Sequence, residues 1–240
     1  MNERLDNLGR ITPEEIRLRN IKNIVFGLQG SGKTYFSKEI CKQQNLRVFV
    51  YSPHFHDFQN ETDNFIFFKQ TDFLKDFDDF MKLSIELGKR GEIDLLLIDE
   101  FDMLFKSGKT MTNTFIDFNA NHRHYNLGAL FLARRPQDID ASTVESCEFL
   151  IGFSIFGDNV KLKLNRIYKN LGNMVQSLNK SSFQSIVLEI GKAPRLMQPI
   201  GSNVPTTTPA QPRDLRTCRY CGKLPSECYC MDKLDNFDTY

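Results

Sequence analysis

Two short stretches carry residues that could do chemistry together. The first, Gly27-Leu28-Gln29-Gly30-Ser31-Gly32-Lys33-Thr34, fits the pattern G-x-x-x-x-G-K-[ST]. Glycines allow backbone conformations closed to other residues, so successive N–H groups can turn inward onto a phosphate chain. Lys33 would then reach the β- and γ-phosphates, and the Thr34 hydroxyl would take a place in a Mg2+ shell. On this reading Gly27, Gly30, Ser31, Gly32, Lys33, Thr34 and Tyr35 form a nucleotide-binding loop.

The second stretch is the apolar run Leu95–Ile98, which ends in Asp99-Glu100. Apolar residues closing on two acids describe a Walker B strand buried within a parallel sheet. Asp99 is expected to bind Mg2+ through its shell, and Glu100 to orient and polarise an attacking water. A strand that merely ends in two surface acids is the plainer alternative. A P-loop about 65 residues upstream weighs against it. A protein that only switches, or a kinase with its acceptor bound elsewhere, does not need the second acid, so hydrolysis is favoured.

A strand, a glycine-rich turn and a helix must follow one another to hold such a loop. Asn23–Phe26 supplies the strand, and Phe36 and Ile40, four apart, mark one buried helical face after Lys33. A short helix is expected from Thr12-Pro13-Glu14-Glu15 to about Asn20, because a capping hydroxyl, proline and acids open it. Further strands are expected at Leu46–Tyr51, Asn64–Phe68, Ile93–Ile98, Ala129–Ala133, Glu148–Phe153 and, last, Phe183–Ile190. Residues 71–90 carry a helical apolar stripe, Met111–Ala120 a second helix, and Asp158–Leu171 a basic amphipathic one. The basic face is either solvated or borders a DNA channel. The loop His54-Phe55-His56-Asp57 reads as a polar strand end near the nucleotide's edge rather than a metal site.

The bulk numbers bound this picture. At 240 residues with 40% hydrophobic and 25% charged content, the chain suits one α/β domain with an appendage. A net charge of +1 gives no global basic field, so any contact with DNA must come from a local patch or a ring of subunits. The apolar runs are too short to span a membrane, and no signal-peptide core opens the chain, so a cytoplasmic location is expected. The 21 Phe, with no Trp, read as packing, as do Cys41 and Cys147.

Domain boundaries follow composition. Residues 1–194 form the P-loop ATPase domain, and 195–216, rich in Pro and Thr, a flexible linker. In the tail, 217–240, Cys218, Cys221, Cys228 and Cys230 fall within thirteen residues. Four thiolates so spaced suit a tetrahedral structural Zn2+ knuckle folded by its metal. A redox pair or an unstructured tail is the alternative.

With Leu95–Glu100, Asn121-His122-Arg123-His124-Tyr125-Asn126-Leu127-Gly128 and Ala133-Arg134-Arg135-Pro136 in view, residues 21–191 resemble the HerA/FtsK superfamily of DNA-pumping ATPases. The nearest likeness is to small genome-packaging ATPases of archaeal and related double-jelly-roll viruses. Arg123, Leu127-Gly128, Arg135 and Pro136 match the family's pattern. Arg134 stands where the family commonly has a glutamine sensing the γ-phosphate, so either Arg134 or Gln137 takes that contact. The resemblance implies a RecA/ASCE-type P-loop fold, a mainly parallel sheet flanked by helices, with a zinc-knuckle-like tail outside it. It implies an ATP-hydrolysing ring, a hexamer, that moves double-stranded DNA, with Arg123 as the finger reaching a neighbour's nucleotide. The host cytoplasm or the virion would be its place, and the tail could tether it to capsid or a portal-like protein. Filamentous-phage or conjugation-type assembly ATPases and nucleoside or nucleotide kinases are the competing readings.

Overall fold

Strand-sized apolar runs alternate with amphipathic helical ones along most of the chain, which is the pattern of a parallel sheet covered on both faces. The computed structural model describes residues 5–58, 64–104 and 111–200. In chain order the elements are β1 (Gly9–Ile11), β2 (Lys22–Phe26), α1 (Lys33–Gln43), β3 (Val48–Tyr51), β4 (Phe65–Phe67) and α2 (Phe77–Lys89). Next come β5 (Leu95–Ile98), α3 (Phe101–Leu104), α4 (Asn113–Asn121), β6 (Gly128–Ala133), α5 (Ala141–Glu145) and β7 (Phe149–Gly152). The described part closes with α6 (Asp158–Ile167), α7 (Leu171–Gln176), β8 (Ser185–Glu189) and β9 (Arg195–Met197).

Among the described residues nine strands form one sheet in the order β1-β9-β8-β7-β2-β6-β5-β3-β4. The pairs are parallel except those that β8 makes with β7 and β9. This is the mainly parallel α/β sheet of a P-loop NTPase. Burial follows the pleat: Ile24 and Phe26 of β2 face one core with α2, α4, α6 and α7, while Val25 faces the other with α1. The phenylalanines are mostly packing, as expected. Phe80, fully buried, has ring neighbours Phe49, Tyr51, Phe68 and Phe77 within 6.2 Å. Cys41 and Cys147 are buried free thiols, and burial raises the Cys147 thiol to about 12.

Several expectations are corrected. No helix follows Thr12; Pro13–Glu15 is one 3-10 turn, with Glu15 accepting the Thr12 N–H at 2.8 Å. Ile16 and Leu18, two apart and both fully buried, demand extended chain, which overrides the start signal. The basic helix stops at Ile167, because Tyr168 is extended and Asn170 left-handed, and α7 begins afresh. The strand expected from Phe183 begins at Ser185, and it is not the last. Arg195–Met197, placed in the linker by composition, is a strand paired with both β8 and β1. Arg195 fixes it there through Glu15 at 2.7 Å and Glu189 at 3.2 Å. The remainder of the linker from residue 201, and Cys218, Cys221, Cys228 and Cys230, lie outside the described residues.

Two positions give measurable tests of this architecture. A Cβ on Gly128, at the start of β6, would sit 1.9 Å from the Leu18 carbonyl oxygen. Because the obstacle is backbone, Gly128→Ala should cost about 3 kcal/mol in urea unfolding, the upper end of overpacking penalties. His122 is buried, and desolvation, helped by Lys22 and Arg123, lowers it to about 4. It therefore stays neutral in the fold while the unfolded chain takes up its proton below about 6.5. Stability attributable to His122 is complete above pH 6.5 and falls by on the order of 3 kcal/mol as the pH approaches 4. His122→Phe should remove that share of the acid slope, read by chemical denaturation across pH 4–7.

Candidate active site

In a parallel α/β sheet the chain leaves each strand at the same edge, and sites form there. Pairing aligns these exits: Phe26 of β2 stands opposite Ala133 of β6, and Ile98 of β5 opposite Phe131. Strand β6 lies between β2 and β5. The residues that follow, Gly27, Asp99-Glu100 and Arg134, therefore emerge side by side, with Arg134 between the two motifs.

A cavity of about 630 Å³ opens at this edge. Gly30, Gly32, Lys33, Thr34 and Tyr35 line it from the loop and the first turn of α1, Asp99 and Glu100 from β5, and Arg134 from β6. Gly30 and Gly32 take φ +71° and +99°, the conformations that turn the loop's N–H groups onto an anion. Lys33 is buried, and its Nζ donates to the carbonyls of Gly27 (2.8 Å) and Leu28 (3.0 Å). Burial lowers its pKa, against the pull of Asp99 and Glu100. Ser31 is buried too, and its hydroxyl has no hydrogen-bond partner among the described residues. A buried cation resting on carbonyls and an orphaned hydroxyl are what a loop built for a polyphosphate leaves behind.

The acids are arranged with equal economy. Asp99 Oδ2 accepts from the Ser52 hydroxyl at 3.0 Å, and Oδ1 from the Glu100 N–H at 2.9 Å. Glu100 sits at φ +51°, an uncommon conformation for a long side chain and the kind of strain that collects at functional sites. Its Oε1 is held by the Arg134 guanidinium, while Oε2 is buried without a partner among the described residues. One oxygen anchored and one free is the arrangement a positioned base needs. Burial raises the pKa values of Asp99 and Glu100; the neighbouring Asp99 raises Glu100 further, and Arg134 opposes this. Asp102 accepts the Arg134 backbone N–H at 3.1 Å, fixing where β6 ends.

Not every expected residue is here. Gln137 lines a different cavity, with Leu162, Lys163 and Arg166, so Arg134 alone of the two candidates stands beside Glu100. Lys163 donates to the Gln137 and Ile139 carbonyls, which spends one charge of the basic helix on structure. Arg123 is exposed in the 3-10 turn before β6, at the sheet edge opposite the loop, and does not line the cavity. His54, His56 and Asp57 do line it. Ser52, Asp102 and Phe183 escaped sequence reading. Ser52 alone had a signal, its place directly after a strand.

Fold and site together define a P-loop nucleoside-triphosphate hydrolase. The chain belongs to the ATPase family associated with various cellular activities (AAA), whose profile matches residues 23–155, and it is an ATPase. Comparison with curated protein sequences found no match. Among solved structures, the genome packaging NTPase B204 from Sulfolobus turreted icosahedral virus 2, with sulfate, is similar at TM-score 0.65 and 16% identity, over 75% of this chain and 97% of that one. Its complex with ATP-gammaS gives 0.62 at 15% identity, over 75% and 98%. The pCW3 conjugation coupling protein TcpA gives 0.53 at 12% identity, over 75% of this chain and 60% of that one. At these identities the likeness is one of fold. Among the described residues no helix is long and apolar enough to cross a membrane.

Proposed function

We propose that this ATPase is a ring motor that translocates double-stranded DNA, in the manner of viral genome packaging. The observation that carries the reading is the convergence of Lys33, Asp99, Glu100 and Arg134 at one mouth of a fold similar to B204. ATP with Mg2+ supplies the phosphoanhydride to be cleaved. Lys33 and the loop N–H groups would hold its phosphates, and Thr34 and Asp99, both lining the cavity, would hold Mg2+, which would supply positive charge against the phosphates. Glu100 takes a water's proton on its free Oε2, and Arg134 holds Glu100 in place and neutralises negative charge that develops beside it. Arg123, exposed at the far edge, serves a neighbouring subunit's site in the ring, a hexamer. Translocation by the DNA backbone requires no base-reading motif. Cys218, Cys221, Cys228 and Cys230 would hold structural Zn2+ and tether the motor to a capsid or portal-like protein. Less than about half an equivalent of zinc on the purified chain would end that part.

Phosphate release measured with and without double-stranded DNA at low salt tests the reading. We expect several-fold stimulation that weakens as salt is raised, without any phosphorylated acceptor. Absence of stimulation at low salt contradicts it, and a phosphorylated acceptor would point to a kinase. The fold likeness to TcpA favours, as second reading, a conjugation-type assembly ATPase. Stronger stimulation by single-stranded than by double-stranded DNA would select it.

A further inference from the structure

The turn joining α7 to β8 has no part in the sequence motifs, yet it lies against the phosphate loop. Lys180–Ser182 is a 3-10 turn tied by its own bonds: Asn179 Oδ1 accepts the Ser181 N–H at 2.9 Å, and the Ser182 hydroxyl donates to the Asn179 carbonyl at 2.7 Å. It delivers Phe183 in a left-handed conformation, φ +53° and ψ +18°. For a bulky residue without a short polar side chain this is a genuine outlier. The ring is also 50% exposed and has no ring partner among the described residues, so the apolar core gives no reason for the strain. Its Cδ1 lies 3.0 Å from where a Cβ on Gly32 would be, and the ring lines the nucleotide cavity. The same turn puts the Lys180 ammonium 3.5 Å from the corresponding point on Gly30. Tyr35, 55% exposed, lines that cavity from the first turn of α1. Two exposed aromatic rings beside a phosphate loop suit a flat heteroaromatic group attached to a polyphosphate.

We propose that Phe183 is the nucleobase platform of this site, stacking on the base of the bound nucleotide, with Tyr35 as a second wall. The inference rests on the nucleotide-site reading and adds to it the element that distinguishes a nucleotide from bare polyphosphate. Strain at Phe183 then has a cause, because only the left-handed turn presents the ring at the cavity's rim.

The test compares the full chain with Phe183→Gly and Phe183→Tyr, measuring equilibrium affinity for ATP and for inorganic tripolyphosphate, both with Mg2+. Glycine is at home at φ +53°, so the turn keeps its shape and only the ring is lost. We expect Phe183→Gly to bind ATP about ten-fold more weakly, which is about 1.4 kcal/mol at 25 °C. Its affinity for tripolyphosphate should stay within about two-fold of the parent's, and Phe183→Tyr should restore ATP binding, since stacking needs only the ring. Unchanged ATP affinity in Phe183→Gly, or equal weakening of both ligands, overturns the proposal. If the parent chain binds neither ligand, the nucleotide-site reading itself fails, a result distinct from failure of the platform.

Discussion

Replacing Glu100 by Gln leaves a protein that binds ATP as tightly as the parent but releases phosphate about 100-fold to 10,000-fold more slowly, the range spanned by removal of a general base. The argument comes from the two oxygens of Glu100. Oε1 is committed to Arg134, and Oε2 is buried with no partner among the described residues, which leaves Oε2 as the oxygen able to take a proton from water. Glutamine keeps size and shape, and its amide oxygen can still face Arg134, so the loop and Lys33 are undisturbed. What it cannot do is accept and hold a proton. Lys33→Ala is the complementary variant and should lose ATP binding, because Lys33 is the cation buried within the loop. Phosphate release by Glu100→Gln at the parental rate would remove Glu100 from the chemistry.

Arg134→Ala should lower turnover by about 100-fold to 1,000-fold, the cost of one charge-stabilising donor, with ATP still bound through Lys33 and the loop. It should also shift the pH dependence. Burial and Asp99 push the Glu100 pKa above its ordinary value, and Arg134 pulls it down. With the arginine gone, Glu100 holds its proton to higher pH, so the acidic limb of the rate profile moves upward. Arg134→Lys keeps the charge but not the planar fork, and should restore the acidic limb more fully than the rate. An acidic limb that does not move in Arg134→Ala would mean that the guanidinium does not govern Glu100 during turnover.

The chemistry was more legible in the sequence than its setting. Gly27–Thr34 and Asp99-Glu100 are contiguous motifs whose residue types suffice to state their roles, and the strands before them are buried from end to end. Arg134 could be named as a candidate, but its pairing with Glu100 depends on β6 lying between β2 and β5, which no local pattern encodes. Phe183 reads as the start of the strand Phe183–Ile190. Only the left-handed backbone shows that it belongs to the turn. The pairing of β1 with β9 joins residues far apart in the chain through segments three residues long, too short to announce themselves by periodicity. The misplaced helix after Thr12 has the same root. A start signal is local, whereas the burial of Ile16 and Leu18 is decided by the sheet.

Third-strand displacement from a DNA triplex tests most directly the claim that this site drives movement along DNA. A motor that runs along the duplex strips the third strand only while ATP is being hydrolysed. We expect the parent chain with ATP and Mg2+ to displace it, and Glu100→Gln with ATP, or the parent with a non-hydrolysable analogue, to leave it in place. Steady phosphate release by a parent chain bound to the duplex, with the third strand left in place, would contradict the account.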